Sequence, residues 1–377
     1  MRLSDGRHFS YCLNVHPGEG VDDLLHALRA HVPRVKDALS PNAPFGLGLR
    51  IARDAAIELR DPDTLARLRD AIDTARCYAF TVNGFPYGAF HGTRVKENVY
   101  LPDWSSPERL DYTLDLIDHL HALLPEGEEG SISTVPLGYK FRPDASPRHL
   151  EACTAHLAAV AAKLARLEAD TGRLLHLGLE PEPDCVLETT DETIEYFYEH
   201  LFRGPEVDEQ LVRRHIGVCV DTCHAAVQFE DPAAVLRKYM EASILVSKVQ
   251  ISAALECVAD VPIERLAPFD DGVYLHQVKT ASGDARRDLP AWTHAPDPNA
   301  GTLRIHAHVP LHWPGDGPLR STRHTLTPGF WNALADSECP HLEVETYTFD
   351  VLPDDLRQDR DVADDMILEC RWALDRM

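Results

Sequence analysis

Four segments between residues 174 and 349 of the 377-residue chain end in side chains that bind cations or move protons. "LLHLGLEPEP" (174–183) closes on Glu180 and Glu182, and "IGVCVDTCH" (216–224) on Asp221 and His224. "ILVSKVQIS" (244–252) closes on Gln250 and Ser252, and "HLEVETYTF" (341–349) carries Glu343 and Glu345. Each begins as a largely apolar run suited to a buried strand. Alternate residues of a strand share a face, so Glu343 and Glu345 point one way and Leu342, Val344 and Thr346 the other. Carboxylates on converging strands repel and raise one another's pKa unless a cation or a proton lies among them. Two carboxylates, a further oxygen ligand and an imidazole suit a divalent ion, with water completing the set. Asp221 taken alone is as well suited to cap a helix, and His224 alone to a structural hydrogen bond. The coincidence over four strand ends is what favours a metal.

Those ends need a scaffold that gathers them. Earlier runs of the same kind are "FSYCLNVH" (9–16), "FGLGLRI" (45–51), "CYAFTVNGF" (77–85) and "SISTVPLGY" (131–139), with Asn14, His16, Asn83, Tyr139 and Lys140 at their ends. Between the runs, apolar residues recur at helical spacing, as in "GVDDLLHALRAHVPRVKDAL" and "SPERLDYTLDLIDHLHALL". Ser106-Pro107 and Ser146-Pro147 are helix-start signals, and Gly172 is placed to end a helix. A strand–helix unit repeated about eight times predicts a (β/α)8 TIM barrel, whose active site lies at the C-terminal ends of the strands. A doubly wound sheet competes, but no G-x-G-x-x-G follows the first strand.

Residues 253–340 break the rhythm and read as an insertion before the last strand of a single barrel domain spanning 1–377. Within it "GVYLHQV" and "LRIHAHV" are candidate extra strands, paired with each other; the other count makes "LRIHAHV" a barrel strand. His306 and His308, two apart, share one side of that strand with Arg304. We expect this triplet to approach the barrel mouth.

The formal net charge of -24 argues against a surface built for nucleic acid or an anionic membrane. No run of 18 apolar residues suggests membrane insertion, and the N-terminus lacks a signal-peptide pattern, so a cytoplasmic protein is expected. Nine cysteines without a C-x-x-C pair read as buried free thiols, with a thiolate site at Cys219 and Cys223 a weaker alternative. A homo-oligomer is compatible with the sequence, which does not specify one.

"LGLEPEP", "GVCVDTCHAA", "KVQIS" and "LEVETYT" resemble the late-strand motifs of xylose isomerase-like TIM barrels, a superfamily of sugar isomerases, ketose 3-epimerases and endonuclease IV enzymes. "NVHPGE", "NGFPYGAFH", "VKENVYLPDW", "YLHQVK", "RIHAHVPLHW" and "LEVETYTFDVLP" resemble the EboE-like metabolite traffic proteins more closely, over nearly the whole chain. The resemblance implies that Glu180 and Glu345 hold metal and exchange protons, that Asp221 is a third ligand, and that His224 contacts a substrate oxygen. Gln250 stands where the superfamily has a histidine ligand. Its amide oxygen suits Mn or Mg and leaves Zn as the lesser option, unless His306 or His308 supplies the imidazole. His16 and Asn83 join His224, His306 and His308 as expected substrate contacts.

The expected partner is then a small-molecule metabolite: a sugar, polyol or related hydroxy-carbonyl compound. The metal would chelate adjacent oxygens and steady an enediolate, while Glu180 removes a proton from one face and Glu345 returns it from the other. A metabolite carrier without turnover is the alternative. A phosphoesterase or nuclease of the endonuclease IV type fits the acidic chain less well.

Overall fold

The computed structural model describes residues 1–142, 147–204, 207–357 and 360–377. Eight parallel strands form the barrel: β1 (His8–Tyr11), β2 (Phe45–Arg50), β3 (Cys77–Asn83), β4 (Gly130–Thr134), β5 (Leu175–Leu179), β6 (Ile216–Asp221), β7 (Val246–Ile251) and, last in the chain, β14 (His341–Val344). Their order is β1-β14-β7-β6-β5-β4-β3-β2, and a parallel bridge from Cys12 to Gly48 joins the two ends. This is the (β/α)8 barrel that the sequence predicts. All residues of β2, β4, β5, β6, β7 and β14 are buried, as expected where helices cover the outer face and side chains fill the lumen. Helix starts follow the local chemistry: Ser106 caps Pro107–Leu123 by accepting from the Glu108 amide. Ser146, the other expected cap, lies outside the described residues.

The close approach of β6 to its neighbour depends on Gly217. A Cβ there would lie 2.1 Å from the Leu245 carbonyl oxygen, and backbone cannot swing aside as a long side chain can. Gly217→Ala should therefore lose about 1–3 kcal/mol of stability, read from urea unfolding; an unchanged midpoint would show that the strand relaxes freely.

Between β7 and β14 the chain builds a second, antiparallel sheet. Its strands are β8 (Ala254–Val258), β9 (Val278–Thr280), β10 (Ala285–Arg286), β11 (Thr302–His308), β12 (Gly315–Asp316) and β13 (Leu319–Ser321), in the order β10-β9-β11-β8-β13-β12. "LRIHAHV" thus belongs to this sheet and not to the barrel. Its pairing with the "GVYLHQV" region is present but shifted, since β11 meets Val278, Lys279 and Thr280, and residues 272–277 are not strand. The expected triplet divides. Arg304 turns to Glu256 Oε2 (2.9 Å) and to the Ala226 carbonyl (2.8 Å), in the last turn of the helix Thr222–Val227 that follows β6. That link seats the sheet over the end of β6 and carries His306 and His308 to the barrel mouth. A helix, Val362–Leu374, follows the last barrel strand.

Candidate metal and active site

Glu180 follows β5, Asp221 ends β6 and Glu345 follows β14, so all three carboxylates leave the C-terminal end of the barrel. One oxygen from each lies within 4.8 Å of the others, and the residues are only 3%, 2% and 4% exposed. Asp221 is a helix cap that keeps one oxygen free. Its Oδ1 caps the following helix, accepting from the His224 amide (2.9 Å) and Ser252 Oγ (2.7 Å), while Oδ2 has no hydrogen-bond partner. Glu345 Oε1 receives Nδ2 of Asn14 (2.5 Å) and of Asn83 (3.0 Å), which fixes the carboxylate. Glu180 Oε2 is unpartnered, as are both amide atoms of Gln250, which pairs with Asp221 in the strand register.

The imidazoles surround the trio from the open side. His224 donates Nδ1–H to the Pro181 carbonyl (3.1 Å), His306 to Gln277 Oε1 (2.8 Å) and His308 to the Glu345 carbonyl (3.0 Å). Fixing the proton on Nδ1 leaves Nε2 as a lone pair, the form that ligates metal or accepts from a hydroxyl. Nε2 of His306 and of His308 have no protein partner. Asp221, His224 and His308 form a second group with ligand atoms within 4.8 Å, and Glu182, His224 and His306 a third. Of the two insertion histidines, His308 is the one grouped with a carboxylate of the trio.

Burial dominates the electrostatics. It raises the pKa of Glu180 and Glu345 well above the carboxyl range, and the charges of neighbouring carboxylates add to the effect. Glu182 is pushed up to about 8 by burial, although Tyr100 donates to it. Asp221 moves the other way: burial opposes ionisation, but the charges that His224 and His308 carry only when protonated, at acidic pH, and its two hydrogen bonds outweigh it. Burial also lowers the pKa of His224 to about 4 and depresses those of His306 and His308, which keeps all three neutral. Without a cation, then, the carboxylates cannot all ionise, and several buried polar atoms stay unpaired, which is costly. Oxygen-rich, imidazole-rimmed and otherwise unsatisfied, the donor set fits a divalent ion.

Below the trio, Lys248 of β7 pairs with Glu343 of β14, both 0% exposed. Gly48 makes room, because a Cβ there would fall 1.2 Å from Glu343 Oε1.

His16 stands apart from the expected site. β1 stops at Tyr11 and the chain turns through a 3-10 helix, Leu13–Val15, which carries Asn14 inward and His16 away. His16 hydrogen-bonds Tyr11 (3.0 Å), stacks on His31 (4.6 Å) and lines a separate cleft beside Arg50. The nine cysteines are buried and unpaired. Cys223 shares a potential ligand group with His306 and His308, but burial raises its pKa well above normal and disfavours the thiolate. Sequence reasoning gave no role to Tyr100 or Lys248; the inward alternation of "KVQ", which puts Lys248 on the Gln250 side, is the signal that could have found the lysine.

No protein-family model matches the chain, nor does any curated protein sequence. Solved structures do align with it over almost its full length. A probable 3-DHS dehydratase, AsbF, from Bacillus anthracis is 12% identical with a TM-score of 0.51, covering 98% of this chain and 100% of that one. A xylose isomerase domain protein from Alicyclobacillus acidocaldarius is also 12% identical at TM-score 0.51, covering 98% and 97%. A putative xylose isomerase from Rhodospirillum rubrum is 13% identical at TM-score 0.51, covering 98% and 99%. At these identities the likeness is one of fold, a xylose isomerase-like barrel.

Proposed function

We propose that the chain is a divalent-metal-dependent enzyme of the isomerase or epimerase type, moving a proton beside the carbonyl of a small hydroxy-carbonyl metabolite. The observation that carries this reading is the buried grouping of Glu180, Asp221 and Glu345 within 4.8 Å at the barrel mouth. In this reading those three hold the ion, His308 adds the imidazole and Gln250 stands beside them. Mn or Mg suits the oxygen donors, and His308 makes Zn chemically acceptable. The ion supplies the positive charge that acidifies a C–H next to a carbonyl.

The chain's own groups do the rest. Asn14 and Asn83 hold Glu345 in one orientation, so a proton passes to and from a fixed oxygen. Glu180, on a different strand, is the second acid–base group of this reading. Neutral His224, with its proton on Nδ1, accepts from a substrate hydroxyl through Nε2. We extend the proposal to the EboE-like group, because stretches that carry that resemblance contribute to this pocket, among them Asn83, Phe90, Val95, Tyr100, Tyr274 and His306.

The metal-loaded protein in heavy water should place deuterium on the carbon beside the carbonyl of a hydroxy-ketone. A carrier on the same barrel would bind such a ligand and exchange nothing over hours. His308→Ala should weaken Mn binding by roughly 10–100-fold in equilibrium dialysis, judging from losses at supporting residues of metal sites; unchanged affinity would remove His308 from the ligand set.

A further inference from the structure

The site opens into a pocket at the barrel mouth. Its two ends differ in chemistry. The floor carries Asn14, Asn83, Glu180, His224, His306 and Glu345. The walls above carry Phe85, Pro86, Phe90, Val95, Val99 and Leu275, from the loop after β3 and from the segment before β9. That roof is a fixed part of the fold, because the amides of Val95 and Lys96 both donate to the Val273 carbonyl at 2.9 Å.

Most of the polar side chains among the walls already have a partner within the protein. Tyr100 donates to Glu182 (2.8 Å) and accepts from Gln277 (3.0 Å). Lys96 Nζ is taken by Asp288 at 2.7 Å, and Tyr274 pairs with His91 at 3.1 Å. Among the described residues Tyr347 alone keeps an uncommitted wall hydroxyl, on a ring packed 5.2 Å from Phe90 and 5.0 Å from Tyr274. A free sugar lying in this pocket would bring several hydroxyls against the mostly apolar face of Phe85, Pro86, Phe90, Val95, Val99 and Leu275, and unpaired buried hydroxyls are penalised.

From this two-ended pocket, and resting on the reaction proposed above, we infer that the substrate is amphiphilic. A hydroxy-carbonyl head sits among the floor residues, and an aromatic or aliphatic body fills the space between Phe85, Phe90 and Leu275. The enzyme is thus selective for a hydroxy-ketone with a hydrophobic substituent over an unsubstituted sugar.

The test compares three probes on the Mn-loaded full chain by calorimetry and by deuterium uptake in heavy water: hydroxyacetone, 2-hydroxyacetophenone and D-fructose. The expected result is that 2-hydroxyacetophenone binds at least tenfold more tightly than either of the others. Phe90→Ala and, as a milder change at a partly buried wall position, Leu275→Asn should each shrink that preference several-fold. Equal binding of the two hydroxy-ketones, or tighter binding of fructose, would overturn the amphiphilic substrate and leave the proton-transfer reading standing. Failure of all three probes to bind or exchange would instead overturn the proton-transfer reading, and the substrate inference with it.

Discussion

Glu345→Gln should lose solvent-deuterium exchange into a bound hydroxy-ketone by a factor of about 10²–10⁴, the usual worth of a positioned general acid–base group. Binding should survive, because the substitution keeps the shape of the side chain. The amide oxygen can still accept from Asn14 and Asn83, as Glu345 Oε1 does now. A neutral oxygen can also remain on a cation. What glutamine cannot do is take up and return a proton. The comparison therefore needs metal content, ligand affinity and exchange rate measured on the same preparation. Wild-type exchange in the variant would take Glu345 out of the chemistry; loss of metal together with exchange would assign it to the ligand set alone.

Lys248→Met should cost the fold about 3–5 kcal/mol, the range for breaking a buried ion pair from one side. Lys248 and Glu343 are both fully buried, facing each other across neighbouring strands inside the barrel. Burial alone would lower the lysine pKa, yet the charge of Glu343 outweighs it and holds the pKa above its ordinary value. Methionine fills the space of the lysine stem but leaves the Glu343 carboxylate without a counter-charge. The double variant Lys248→Met/Glu343→Gln should recover much of the loss, since it removes the stranded charge and keeps the volume. Urea unfolding of the three proteins measures this directly. A single variant within 1 kcal/mol of wild type would mean that Glu343 is protonated or hydrated in the fold.

Much of the site was legible because a barrel turns strand order into proximity. Glu180, Asp221 and Glu345 each follow an apolar run, so their convergence needs only the parallel arrangement that the alternating units imply. His306 and His308 were legible as a pair from their spacing; that Arg304 would leave them for Glu256 depends on β8, a short strand without a clear alternating pattern. His16 was expected at the site because "FSYCLNVH" reads as one strand, in which Asn14 and His16 would share a face; the chain leaves the extended conformation after Tyr11, and the 3-10 turn separates the two. The short β9 shifted for a related reason: "GVYLHQV" is apolar enough for a strand, but His276 is held by Asp271 and by the His306 carbonyl, and pairing begins only at Val278. Lys248 and Glu343 lie 95 residues apart (343 minus 248), and nothing local announces that they meet.

Anomalous scattering from crystals soaked in Mn tests the central claim most directly. The predicted result is a peak bounded by Glu180, Asp221 and Glu345, on the side facing His308, which disappears in Asp221→Ala. Crystals saturated with Mn that show no peak among those three carboxylates, or show one only elsewhere, would contradict a metal-centred site at this barrel mouth.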